Sequence, residues 1–136
     1  MHTEMRLPDG QTEDSPPPAR IREVIEGFGP ASWQAGSGEV TIRLNADGRI
    51  SGLSLIRKDP YGFFLYFGEM DSTETIVAVS PGKPTEKTDV IIEGEPLTIP
   101  TTFFVSMQQA VEIALYFAQT GKLLESVKWD NLADQD

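Results

Sequence analysis

The chain has 136 residues, enough for one domain with its own hydrophobic core. Hydrophobic residues make up 39% and charged residues 24%, a composition typical of a soluble globular domain. The 21 acidic and 11 basic residues give a net charge of −10, which argues against direct binding to nucleic acid or to an anionic membrane.

The first fifteen residues are polar and acidic, and we expect 1–15 to be a disordered tail that precedes a single domain, 16–136. This segment has no basic flank followed by an apolar stretch, so it does not resemble a secretory signal. No apolar run approaches the roughly 20 residues that span a bilayer. The sequence therefore predicts a cytoplasmic protein.

Ser15 precedes three prolines and then a stripe of apolar residues at helical spacing, which predicts a short helix capped by Ser15. Apolar and polar residues alternate over 39–44, turn residues occupy 45–48, and a β pattern resumes over 50–56. This pattern predicts a hairpin. The alternation in its second strand is imperfect, and we interpret Gly52 as a bulge.

The run 63–67 has no polar member, which predicts a central strand covered on both faces. Segments 73–79 and 88–92 flank a loop rich in Pro and Gly and are interpreted as further strands of an antiparallel meander. Ser106 and Gly121 are suited to cap the two ends of an amphipathic helix. The predicted fold is a two-layer α+β domain in which an antiparallel β meander packs against a C-terminal helix, with a short N-terminal helix.

Few residues of this chain are suited to catalysis. It has no cysteine, and its single histidine, His2, falls in the predicted tail. No common nucleotide-binding, zinc, calcium or hydrolase motif is present, and Gly36-Ser37-Gly38 lacks the lysine of a phosphate loop. Glu69, Asp71 and Glu74 could act as paired carboxylates, as a cation site, as part of a partner surface or as solvated loop residues. We therefore expect no enzyme activity, no cofactor and no metal site.

Acidic residues are concentrated between Glu69 and Glu112, where eight acids face only two lysines. Such a segment could form a negative surface that binds a basic protein, although acidic surfaces also serve solubility. The eight acids are Glu69, Asp71, Glu74, Glu86, Asp89, Glu93, Glu95 and Glu112.

Several short motifs follow one another from residue 61 to residue 129. They are Tyr61-Gly62-Phe63-Phe64-Leu65, Ile99-Pro100, the helical stretch 111–117, Thr120-Gly121 and Lys128-Trp129. In this order they resemble a family of bacterial polymorphic-toxin immunity proteins, the first-numbered family of that series. The likeness covers about half of the chain.

The resemblance implies a protein that binds and neutralises a cognate toxin, often a nucleic-acid deaminase or a nuclease, by occluding its active site. It carries over no catalytic residues. We expect the basic toxin domain to contact the acidic loops at Glu69, Asp71, Glu74, Glu93 and Glu95. The alternative is a small-ligand-binding or enzymatic α+β domain with a pocket between helix and sheet.

Overall fold

The computed structural model describes residues 1–34, 36–82, 86–92 and 94–134. The helices are α1 (Pro18–Gly27), the single turn α2 (Pro30–Trp33) and α3 (Met107–Thr120), with 3-10 turns at Thr101–Phe103 and Leu132–Asp134. The strands are β1 (His2–Arg6), β2 (Thr12–Asp14), β3 (Glu39–Ala46), β4 (Arg49–Lys58), β5 (Gly62–Glu69), β6 (Ile76–Val79), β7 (Lys87–Ile92), β8 (Glu95–Pro100), β9 (Phe104–Val105) and β10 (Lys128–Asn131).

Eight of these strands form one antiparallel sheet in the order β10-β6-β5-β4-β3-β1-β2, with β9 paired to β5. Strands β7 and β8 form a separate two-stranded sheet. Helix α3 packs on one face of the large sheet beside the shorter α1. The predicted α+β class, the antiparallel sheet against a C-terminal helix and the short N-terminal helix are confirmed.

The ends of α3 follow the predicted capping residues. The Ser106 hydroxyl accepts a hydrogen bond from the backbone N–H of Gln109 at 3.1 Å, and the Gln109 side chain accepts from the backbone N–H of Ser106 in return. Gly121 ends the helix in the left-handed conformation, at φ +73°. The buried side of α3 is the predicted apolar arc, including Val111, Ile113 and Phe117.

The predicted disordered tail is wrong, because residues 2–14 form a β-hairpin on the sheet. Strand β1 pairs with β3 from His2 to Arg6, and the Met5 side chain, which is fully buried, lies opposite Ile42. Strands β2 and β3 supply backbone partners for β1 on its two sides, and the buried Met5 and Leu7 anchor this hairpin to the core. The expected Ser15 cap is also wrong, since Pro17 is the N-cap of α1 and makes no side-chain capping bond.

The predicted bulge at Gly52 is absent, because β4 pairs in unbroken register with both of its neighbours. Gly52 lies opposite Arg43 on β3 and Gly68 on β5. The irregular alternation has another cause, which is that β4 buries apolar residues on both faces. Leu53 and Leu55 pack in the core under the helices, whereas Ile56 belongs to a second core on the other face.

The predicted meander is wrong after β6, because β7 does not join the large sheet. Strand β6 already has β5 on one side and β10 on the other, with Trp129 opposite Ala78, so no edge remains for β7. Instead β7 pairs with β8 and lies over the far face of the sheet, where Val90 and Ile99 pack with Phe64. The prediction that strand β5 is covered on both faces is confirmed.

In the part of the chain that the structure describes, helices are too short or too polar to cross a membrane.

Candidate functional site

A concave surface lies on the sheet face opposite α1 and α3. The β7–β8 hairpin covers only one side of this face, and the rest stays open over β4, β3 and β1. The opening is a cavity of about 1020 Å³, bounded by the α2–β3 loop, the sheet and the hairpin. We call it the sheet groove.

Its floor is a row of polar side chains on adjacent strands. The register places Thr41 opposite Ser54, and Ser54 opposite Tyr66. The hydroxyl oxygens of Thr41 and Ser54 are hydrogen-bonded at 3.0 Å, and the Tyr66 hydroxyl donates to the carboxylate of Glu39 at 2.8 Å. Alternation explains the row, since the intervening residues of these strands point into the core under the helices.

Four basic side chains also line the sheet groove, and two of them are held by the protein itself. Arg57 donates to Asp59 at 3.1 Å and to the carbonyl oxygen of Phe28 at 3.0 Å. The Lys58 ammonium donates to the backbone carbonyl of Asp89. The other two, Arg6 and Arg43, have no hydrogen bond or ion pair with any residue that the structure describes.

The groove continues into a shallower cavity of about 440 Å³ at one end. Gly52 and Gly68 are paired across β4 and β5 there, so the floor has no side chains at these two positions. The wall is the loop that follows β5. The two cavities share Thr41, Arg43, Ser54 and Tyr66, and therefore form one continuous surface.

Three of the acids expected to bind a partner lie on this wall. Glu69 and Glu74 line the shallow cavity, and Asp71 is exposed in the same loop. We call residues 69–75 the acidic loop. Glu69 also makes a long contact of 3.5 Å with the guanidinium of the exposed Arg49.

The other two predicted residues belong to the β7–β8 hairpin. Glu95 is exposed at the start of β8, between Gly94 and Pro96, which both line the sheet groove. Glu93 lies outside the described residues. Of the four described acids, Glu69 and Glu74 line the shallow cavity, whereas Asp71 and Glu95 are exposed in the two elements that border the groove and line neither cavity.

Sequence reasoning missed two exposed apolar side chains in these same elements. Met70, 66% exposed, lies in the acidic loop. Ile91, 57% exposed, lies on β7 two residues after Asp89, and both line the sheet groove. For Met70 the sequence did contain a signal, since a lone apolar residue lies between two acids after the strand. Ile91 gave none, because it belongs to an apolar run in which only Val90 is buried.

The acidic loop is held in place by hydrogen bonds to its backbone. The N–H of Met70 donates to the carbonyl oxygen of Ile50 at 2.9 Å, and the N–H of Ser72 donates to that of Glu69 at 3.1 Å. The N–H of Glu74 donates to the Ser72 hydroxyl at 3.1 Å. These bonds fix the path of the loop on which Met70 and its acidic neighbours are displayed.

The predicted alternative pocket between helix and sheet does not coincide with either cavity. The space under α1 and α3 is filled by core side chains such as Val24, Leu65 and Phe117, all fully buried. Only Trp33 of α2, at the edge of that core, also lines the sheet groove.

Two titratable groups with displaced pKa values, Glu13 and Tyr61, lie outside the groove. A hydrogen bond from Arg20 lowers the pKa of Glu13, while burial and the nearby Glu86 raise the pKa of Tyr61. Within residues 1–34, 36–82, 86–92 and 94–134, no three His, Cys, Asp or Glu side chains are grouped so as to hold a metal ion.

The chain was compared with models of known protein families, and no family model matches it. Comparisons with curated proteins and with solved structures likewise find no match.

Proposed function

We propose that this protein binds a basic protein partner through the acidic loop and the β7–β8 hairpin, and that the partner is a bacterial toxin domain which it neutralises. The resemblance of residues 61–129 to immunity proteins suggests the toxin. A nucleic-acid-acting toxin, such as a deaminase or a nuclease, fits the charge, because its substrate cleft would itself be basic.

The observation that carries the proposal is the position of Met70. A single exposed apolar side chain is common on protein surfaces, so the weight of Met70 comes from its place in an ordered acidic loop that lines a groove. Burying a methionine side chain in an interface contributes about 1.5–3 kcal/mol. Met70 is 66% exposed and has Glu69 and Asp71 as chain neighbours, the arrangement of an apolar anchor surrounded by polar contacts.

The net charge of the protein favours a basic partner. With a net charge of −10, the protein attracts a basic partner from a distance and repels an acidic one. Such steering raises the association rate and weakens as salt is added, since the Debye length falls to about 8 Å at physiological ionic strength. The acids of the loop would then face basic side chains around the toxin active site, and occlusion of that site would suffice to neutralise the toxin.

In this proposal the protein is not an enzyme and needs no cofactor. It does not bind nucleic acid or membranes directly, because its charge opposes both. It acts in the bacterial cytoplasm, where a protein without cysteine is unaffected by the reducing conditions.

The test is co-expression with the toxin domain encoded directly upstream, followed by size-exclusion chromatography and by survival of the host. We expect a one-to-one complex and rescue of growth. The absence of both co-elution and rescue would count against a toxin as the partner. Co-elution without rescue would count against neutralisation.

Matched charge reversals then test the surface. Glu69→Lys with Glu74→Lys changes the acidic loop, and Glu112→Lys with Glu125→Lys makes the same change in charge at exposed positions outside the groove. We expect the first pair to slow association at low salt about tenfold or more, and the second pair to change it much less. Equal effects of the two pairs, or wild-type affinity after reversal of all five predicted acids, would show that the toxin binds elsewhere.

A further inference from the structure

Arg6 and Arg43 are two exposed arginines that line the sheet groove. The chain has only 11 basic residues against 21 acidic ones, yet these two guanidinium groups line one cavity and make no ion pair with a described residue. Every other arginine that the structure describes has a carboxylate within 4 Å.

The strand register explains why the two arginines share a surface. Arg6 on β1 lies opposite Thr41 on β3, and Arg43 is two residues further along β3 on the same face. Diagonal neighbours of this kind in an antiparallel pair are about 7–8 Å apart, within reach of two long side chains that approach a common ligand. Glu4 lies directly opposite Arg43 in the strand register, but the two side chains do not form an ion pair in the structure.

Three hydroxyl groups and one carboxylate line the groove together with the two arginines. The Thr41 and Ser54 hydroxyls lie on the groove floor, and the Tyr66 hydroxyl and the Glu39 carboxylate form the next pair along it. Ile56 and Val90 supply an apolar wall. A few polar groups together with apolar walls are typical of a small-molecule site, and such sites commonly enclose about 300–1,000 Å³.

We propose that the sheet groove binds a small molecule through an oxyanion, a phosphate or a carboxylate, which is held by Arg6 and Arg43. The planar guanidinium group can donate two parallel hydrogen bonds to either anion. The floor hydroxyls and Glu39 would bind hydroxyl groups on the rest of the ligand, because a carboxylate accepts and a hydroxyl both donates and accepts.

The net negative charge of the protein does not prevent this. Two guanidinium groups in direct contact with an anion act at about 3 Å, whereas exposed acids around the rim act through water and are screened over about 8 Å. The half-buried Glu39 carboxylate of the floor accepts a hydrogen bond from Tyr66. This site borders the same groove as the proposed toxin surface but uses different residues, the arginines and the floor rather than the acidic loop and the hairpin. Either proposal can fail while the other holds.

The test is a titration of the isotope-labelled protein, followed through the backbone amide signals of Thr41, Gly52 and Ser54. Ribose 5-phosphate and citrate are the two probes, and sodium chloride at matched ionic strength is the reference. We expect saturable shifts that centre on the groove. Tighter binding of one probe identifies the anion as phosphate or carboxylate, and similar binding means that the oxyanion alone is recognised.

Two double variants make the titration decisive. Arg6→Gln with Arg43→Gln should weaken binding about tenfold or more, whereas Arg22→Gln with Arg49→Gln removes the same charge outside the groove and should change it less than twofold. Arg43→Lys, which keeps the charge but loses the planar fork, should give an intermediate result. The proposal is overturned if both probes shift the signals no more than sodium chloride does, or if the first double variant binds as tightly as the second.

Discussion

Gly62 is a residue at which a single methyl group should be strongly destabilising. It begins β5 with φ at +112°, a conformation that other residues rarely adopt. A Cβ atom at this position would collide with the backbone carbonyl oxygen of Val105 and lie 3.3 Å from its carbonyl carbon. Because β9 is paired to β5 at this point, the carbonyl cannot turn away without breaking the pairing.

Two costs determine how much Gly62→Ala lowers the free energy of unfolding. An unfavourable backbone conformation costs about 1–3 kcal/mol, and overpacking against a fixed neighbour costs about 1–3 kcal/mol more. Their sum is about 4 kcal/mol, a large part of the roughly 5–15 kcal/mol that stabilises a typical domain. We therefore expect Gly62→Ala to fold poorly or to unfold at much lower urea concentration.

Two other glycines separate these costs. Gly48→Ala also has positive φ, at +81°, but its Cβ would meet nothing within 4 Å, so it measures the backbone cost alone. Gly52→Ala has neither problem, since its Cβ would make ordinary contacts of 3.8 Å and 3.9 Å with the neighbouring strand. It should be neutral or stabilising by up to about 1 kcal/mol.

The assay is urea unfolding followed by tryptophan fluorescence and circular dichroism, with the free energy of unfolding compared among the three variants. The expected order of destabilisation is Gly62→Ala far above Gly48→Ala, with Gly52→Ala last. A loss of less than about 1 kcal/mol in Gly62→Ala would refute the argument, because a strained backbone conformation alone should cost at least that much.

Three further predictions concern stability and use the same urea assay. Met5→Ala should cost about 2–5 kcal/mol because Met5 is fully buried, whereas a disordered N-terminus would give no loss. Glu13→Gln should cost about 0.5–1 kcal/mol at pH 7 by weakening the contact with Arg20. The lowered pKa of Glu13 stabilises the fold above the unfolded pKa near 4.3, and this contribution is lost as pH falls through the folded pKa, so the variant should depend less on pH there. Ser106→Ala should cost about 1 kcal/mol through loss of the helix cap, whereas Ser126→Ala, at an exposed turn, should have almost no effect.

Each of these three has its own contrary result. Unchanged stability of Met5→Ala would mean that β1 detaches from the sheet in solution. A pH dependence of Glu13→Gln identical to that of the wild type between pH 5 and pH 3 would mean that other carboxylates account for it. Equal effects at the two serines would mean that the capping box adds no stability.

The candidate site was only partly visible in the sequence. The acids of the loop after β5 were found from charge alone, because charge is a property of residues and needs no coordinates. Arg6 and Arg43 were not found, since they are 37 positions apart and become neighbours only through the β1–β3 pairing. Arg6 was also missed because residues 1–15 were predicted to be a disordered tail.

Local pattern by itself determined the α+β class, the amphipathic α3 with its Ser106 and Gly121 caps, and the coverage of β5 on both faces. Each of these depends on residues within a few positions of one another, where helix and strand periodicity act directly. Tertiary structure alone decided that β10 pairs with the edge of β6 and that residues 2–14 complete the large sheet. It also decided that β7 and β8 form a separate two-stranded sheet on the face opposite the helices. Strand partners compete for the same edges across the whole chain, so the outcome depends on which pairing buries the most apolar surface, and no local window contains that comparison.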